Sequence, residues 1–159
     1  RDVALINIEG SGMVGVAGVA ARMFTTLSAE RISVILISQA SSEHSICIGL
    51  LQHDAFRATA LLKESFAGEL ESGLISSVNC EPQLAIVAVV GENMRHMPGV
   101  AARVFAPLGR NGINIKSISQ GSSERNISFV VTEYDLARTL NILHRSLIKK
   151  RIIRDVATN

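Results

Sequence analysis

The chain has 159 residues, of which 47% are apolar, 19% charged and 4% aromatic, with a net charge of +2 and two cysteines. That balance excludes intrinsic disorder, which needs few hydrophobes and high net charge, and it excludes a small disulfide scaffold. No apolar stretch approaches the roughly 20 residues of a membrane-crossing helix, and scattered charge with few aromatics excludes a nucleic-acid surface.

The first residues, Arg1 onward, show no signal peptide and lead straight into a strand, which reads as a cytoplasmic fragment of a longer chain. Cys47 and Cys80 are then expected as reduced, buried thiols, and no metal-ligand spacing accompanies them. Residues 3–8 form an apolar strand. Residues 17–30 place Val19, Ala20, Met23, Phe24 and Leu27 at helical spacing. Residues 32–38 are rich in β-branched side chains and read as a second strand, apolar at nearly every position and so expected to be buried on both faces. A turn at 41–44 leads to a third strand at 45–51. Asp54 is expected to cap a helix reaching about Phe66, and residues 75–80 give a weaker fourth strand.

The same series then recurs. Residues 84–90 read as a strand, and 99–110 as a helix closed by Asn111-Gly112. Residues 113–118 and 127–131 read as strands. Leu136, Leu140, Leu143 and Leu147 form an apolar helical stripe, which maps onto Ala55, Thr59, Leu62 and Phe66 in the first half. Ile152, Ile153 and Val156 are expected to supply a final strand, and Lys149, Lys150 and Arg151 to mark a solvated helix end.

The recurrence has a constant shift of 81. Between 10–51 and 91–132, 17 of 42 positions are identical without a gap. Gly18-Val19-Ala20-Ala21-Arg22 returns as Gly99-Val100-Ala101-Ala102-Arg103, and Ile37-Ser38-Gln39 as Ile118-Ser119-Gln120. A period of 81 exceeds solenoid repeats and fits two copies of one small domain, 1–82 and 83–159. The order strand-helix-strand-strand-helix-strand is ferredoxin-like, so the expected class is α+β with tandem βαββαβ domains. Units of about 80 residues are marginal alone, and pairing of the copies is expected.

Several motifs invite chemistry. Gly10-x-Gly12-x-x-Gly15 spells a dinucleotide-binding turn, but the next strand ends in Gln39 rather than an acidic residue, and the second copy has Gly91, Asn93 and His96 there. The spelling is rejected. Ser41, Ser42, Glu43 and His44 look hydrolase-like, but they are adjacent in one turn, and Arg125 replaces His44 in the second copy. They read as turn chemistry. His53, His96 and His144 lack metal spacing and read as surface residues. No catalytic residue and no metal or cofactor site is assigned.

What persists is Gly18 and Gly99 at the helix starts, with Gln39 and Gln120 at the strand ends. Each glycine is either a turn residue or the opening to helix N–H groups that bind a carboxylate. Each glutamine either satisfies a nearby turn or hydrogen-bonds a zwitterion without adding charge. Together they outline a small polar site.

The stretch from Ile32 to Ser45, with Ile37-Ser38-Gln39 and Ser41-Ser42-Glu43-His44, resembles the first regulatory repeat of aspartokinases. Ile113-Asn114-Ile115 followed by Ser119-Gln120-Gly121-Ser122-Ser123-Glu124-Arg125 resembles the second. The resemblance is strongest to the threonine-sensitive bifunctional aspartokinase–homoserine dehydrogenases. It implies tandem ACT domains with their sheets paired side by side, an amino-acid effector held between ACT units, and assembly as a homodimer or larger oligomer.

The resemblance also implies site residues: Gln39 and Gln120 for the effector, with Met13, Gly15, Ala17 and Gly18 from the first loop, Met94, Pro98 and Gly99 from the second, and Ser33 and Asn114 early in the second strands. Lysine-sensitive relatives carry an Asp where this chain has Ile35, which disfavours lysine. ATP and Mg would belong to a parent kinase domain, and NADP to a fused dehydrogenase. A stand-alone ACT-type regulator and a nucleotide-binding oxidoreductase are the alternatives. No nucleic-acid or membrane partner is expected.

Overall fold

A computed structural model describes residues 2–13, 16–39, 44–91, 94–121 and 124–148. The chain divides into two compact units, Arg1–Leu84 and Ala85–Asn159. The first unit begins with β1 (Val3–Glu9), a 3₁₀ turn (Ser11–Met13) and α1 (Val19–Ala29). β2 (Val34–Gln39), β3 (Ser45–Leu51), α2 (Gln52–Ser65) and the short α3 (Ala67–Glu71) follow. β4 (Ser77–Val90) starts in this unit and ends in the next. The first unit's strands lie in the order β2-β3-β1-β4, all antiparallel, with Ile48 of β3 opposite Ile6 of β1 and Ile37 of β2.

The second unit takes the C-terminal part of β4, then α4 (Val100–Arg110), β5 (Ser117–Gln120), β6 (Asn126–Thr132) and α5 (Leu136–Leu143), which closes in a π-helical turn (His144–Ile148). Its strands lie in the order β4-β6-β5. The class is α+β, with two ferredoxin-like units. The strand expected from Ile152, Ile153 and Val156 lies outside the described residues, as do Lys149, Lys150 and Arg151.

Period-two alternation builds each core. In the first unit Ala4, Ile6, Ile8, Ile46, Ile48 and Leu50 face Met23 and Leu27 of α1 and Ala55, Ala58 and Leu62 of α2. Each such side chain contributes about 1.5–3 kcal/mol on burial. In the second, Ala85, Val87, Ile127, Phe129 and Val131 pack with Val104, Leu108, Leu136 and Leu143. Phe105 meets Phe129 edge to face at 5.5 Å.

Several expectations are corrected. β2 is not buried on both faces. Leu36 is buried, but Ile35 and Ile37 are 46% and 48% exposed. Ile37 shares the helix side with Ile48, yet β2 is the outermost strand of the sheet. Ile35 sits at a register shift between Val34 and Leu36. Cys80 is exposed and Cys47 half-buried rather than buried. The stripe of α5 is also rotated: Leu140 is 49% exposed and Thr139 is buried in its stead, matching buried Ala58 of α2. Asp54 lies in the first turn of α2 rather than at its cap, which is Leu51.

Candidate functional site

The path from β1 into α1 is wound by backbone hydrogen bonds. Gly10 N–H donates to the His44 carbonyl at 3.0 Å, Met13 N–H to the Gly10 carbonyl at 3.2 Å, and Val16 N–H to the Met13 carbonyl at 3.1 Å. Gly10 and Gly12 are required here by close packing. A Cβ on Gly10 would sit 2.2 Å from the Leu74 carbonyl oxygen, and one on Gly12 would sit 2.6 Å from the Leu74 side chain. These two glycines of the dinucleotide-like spelling therefore have a packing role, and Gly15 lies outside the described residues.

Gly18 ends the loop in the left-handed region, at φ 93°, and serves as the N-cap of α1 with no side-chain hydrogen bond. The first intrahelical bond runs from Arg22 N–H to the Gly18 carbonyl at 2.9 Å, so the preceding amides have no partner within the helix. No acidic residue occupies the first turn. The partial positive charge of the helix start is thus not neutralised locally.

A small open pocket of about 120 Å³ lies at this helix start, lined by Met13, Val16, Gly18, Val19, Ala20, Gln39 and Ile46. Gln39 closes β2 and pairs directly across to Ile46 of β3, so strand register brings the carboxamide and an apolar wall to one spot. Among the described residues no charged side chain lines it. Arg22, one turn into α1, is engaged elsewhere: its guanidinium bonds the Glu69 carboxylate and lies 4.3 Å over the Phe66 ring. That donation holds the Glu69 carboxyl below its ordinary value.

The second unit repeats the winding. Gly91 N–H donates to the Arg125 carbonyl at 3.1 Å, Met94 N–H to Gly91 at 3.2 Å, Met97 N–H to Met94 at 3.3 Å, and Arg103 N–H to Gly99 at 3.0 Å. Gly99 caps α4 at φ 84° with no acidic residue in the first turn, and Gln120 closes β5 opposite Ile127.

Of the expected first-copy residues, Met13, Gly18 and Gln39 come together in the pocket, while Ala17 and Ser33 are exposed and not among its lining. In the second copy Met94 is half-buried against Gly91, and Pro98, Gly99, Asn114 and Gln120 are exposed. Sequence reasoning missed Val16, Val19, Ala20 and Ile46. The identity of Ile46 with Ile127 and the hairpin pairing with Gln39 were the available signals for the last. Ser41, Ser42, Glu43, Ser122 and Ser123 lie outside the described residues. Among the described residues no cluster of three His, Cys, Asp or Glu has metal-site geometry, and no helix is long and apolar enough to cross a membrane.

The ACT domain model matches twice, over residues 6–66 and 87–147. The chain is 37% identical over 150 residues to the bifunctional aspartokinase/homoserine dehydrogenase 2 of Arabidopsis thaliana, a chloroplastic protein, covering 94% of this chain and 16% of that one. The chain therefore spans less than a fifth of that relative's length. Among solved structures, the aspartokinase alpha and beta subunits superpose with a TM-score of 0.75 at 26% identity, covering 91% of this chain and 92% of that one. Aspartokinase III of E. coli in complex with lysine and aspartate superposes with a TM-score of 0.69 at 30% identity, covering 93% of this chain and 32% of that one. The chain belongs to the ACT-domain family, which it carries as two successive copies.

Proposed function

We propose that this chain is the effector-sensing region of an aspartokinase that phosphorylates L-aspartate with ATP, and that it binds a small uncharged amino acid, threonine, as feedback inhibitor. ATP and Mg belong in this reading to the kinase domain, and NADP to a homoserine dehydrogenase domain on the same polypeptide. The chain itself holds the sensor and no catalytic group. It acts within a homodimeric or larger assembly.

One observation carries the reading: the open start of α1 at Gly18 and the carboxamide of Gln39 line the same pocket. Helix amides suit a carboxylate, and the glutamine oxygen accepts from an ammonium or a hydroxyl. The rest of the described lining is apolar and uncharged. It fits a short side chain, and among the described residues it offers no carboxylate to a lysine ammonium. Ile35, at the position that the resemblance associates with lysine sensing, carries no charge either. The pocket is open and has room for only a few non-hydrogen atoms, so a second ACT surface is expected to complete the enclosure. Binding at such a surface favours one arrangement of subunits, and a coupling of about 1–3 kcal/mol is typical of feedback control.

Calorimetric titration with threonine, lysine and NADPH tests this. Threonine alone is expected to give heat, and Gln39→Ala and Gln120→Ala are each expected to weaken its binding by about 1–3 kcal/mol. Heat from NADPH and none from threonine overturns the reading.

A further inference from the structure

The seven described residues that line the first unit's pocket have counterparts in the second at the shift of 81, and six are identical: Met13 and Met94, Gly18 and Gly99, Val19 and Val100, Ala20 and Ala101, Gln39 and Gln120, Ile46 and Ile127. The seventh differs. Where the first unit has Val16, the second has Met97.

The backbones at this position are held alike. Val16 N–H donates to the Met13 carbonyl at 3.1 Å, and Met97 N–H to the Met94 carbonyl at 3.3 Å. The helix starts agree as well, with the capping glycines at φ 93° and 84°. At this position the two cradles therefore differ in side chain rather than in backbone hydrogen bonding. Val16 is short, branched and 54% exposed at the pocket rim. Met97 is longer, unbranched and 44% exposed. A longer, unbranched side chain at this position has rotamer freedom to lose on ligand entry that valine does not have.

Two features keep the second loop from yielding. Pro98 follows Met97, where the first unit has Ala17, and fixes φ immediately after it. His96, just before it, stands at φ 56°, and its backbone N–H donates to the Glu124 carboxylate at 2.7 Å. Met97 is thus flanked by a ring and a clamp, and relief must come from its own rotamers.

We infer that the side chain at this position decides which repeat takes the effector tightly: Val16 leaves the first cradle accessible, and Met97 obstructs the second. The inference rests on the effector-binding reading above and adds to it an asymmetry between repeats that share both glycine and glutamine.

The test is threonine titration of the full chain, unaltered and as Met97→Val and Val16→Met, with Gln39→Ala and Gln120→Ala to assign each site and thermal melts to verify folding. The unaltered chain is expected to show one tighter site, lost in Gln39→Ala. Met97→Val is expected to tighten the second site about five- to tenfold, and Val16→Met to weaken the first by a similar factor, the scale of one immobilised flexible side chain. If both sites bind equally, or neither substitution moves an affinity while Gln39→Ala still weakens binding, the inference fails and the effector-binding reading stands. If no variant takes up threonine, both fail.

Discussion

Across β2 and β3 of the first unit, Leu36 stands opposite Gly49, while across β5 and β6 of the second, Ser117 stands opposite Val130. These are the same two positions at the shift of 81, and the bulky member has changed strands. Leu36 and Val130 are both buried, and neither belongs to the helix-covered core of its unit. What the repeats preserve at this point is the summed volume of a cross-strand pair rather than the residue at either site, as expected where sheet stability resides in facing pairs.

Breaking one partner should therefore cost more than changing both. A Cβ on Gly49 would lie 3.1 Å from the Leu36 Cβ and 3.5 Å from the Leu5 Cδ2. Gly49→Val is expected to destabilise the chain by about 2–3 kcal/mol through overpacking, read as a lower urea midpoint. Combined with Leu36→Gly, which removes that Cβ, it should lose at least about 1 kcal/mol less than the sum of the single changes. Strict additivity would show that the pair is not a unit. The second unit meets its own penalty: the Ser117 hydroxyl is buried and finds no hydrogen-bond partner among the described residues. Ser117→Ala removes that group and is expected to raise stability by about 1 kcal/mol in the same assay.

Much of this was readable from residues alone, because identity at a fixed shift marks the positions that two copies cannot vary. Gly18 and Gln39 were found that way, one for its left-handed φ and the other for its strand-end amide. The apolar walls were not, because Val16, Ala20 and Ile46 carry no chemical signature: strand register places Ile46 beside Gln39, and the loop and the helix start bring Val16 and Ala20 there. The stripe of α5 differs from the sequence pattern because leucine at 140 fits a seven-residue spacing as well as threonine at 139 does, and only packing decides between them. β4 was expected as two strands broken near Pro82. The structure carries it through, because three steps from Glu81 to Leu84 oppose two from Leu5 to Val3. The extra residue forms a bulge in which proline need not donate to the ladder. The exposure of Cys80 follows from its place on this strand at the margin of the first unit's sheet.

The helix exits offer a smaller contrast. Gly112 follows α4 at φ 70°, and Arg31 holds the same place after α1 at φ 57°. Both turns close alike, with Ile32 N–H donating to Leu27 at 3.0 Å and Ile113 N–H to Leu108 at 3.1 Å. A side chain in the left-handed region costs about 1–2 kcal/mol, and glycine recovers this less the extra entropy of its unfolded chain. Arg31→Gly is expected to stabilise the first unit by about 0.5 kcal/mol, whereas Gly112→Arg should destabilise the second by a similar amount.

The smallest effect concerns charge and separates the units by pH. Arg22 of the first unit bonds Glu69 and covers Phe66, but the second unit has Leu147 at the place of Phe66 and Lys150 at that of Glu69, so this contact has no copy there. Hydrogen bonding from Arg22 lowers the Glu69 carboxyl in the folded chain, so the proton binds more readily after unfolding. The resulting stability is complete above the ordinary carboxylate pKa and disappears as pH falls through the lowered folded value. Both side chains are partly exposed, so solvent screens the contact and the change is small. The protection factors of α1 and α3 amides against hydrogen exchange should therefore fall on acidification more than those of α4. Arg22→Gln should abolish the difference while leaving the second unit's protection unchanged; an equal loss of protection in both units would place the acid-sensitive contact elsewhere.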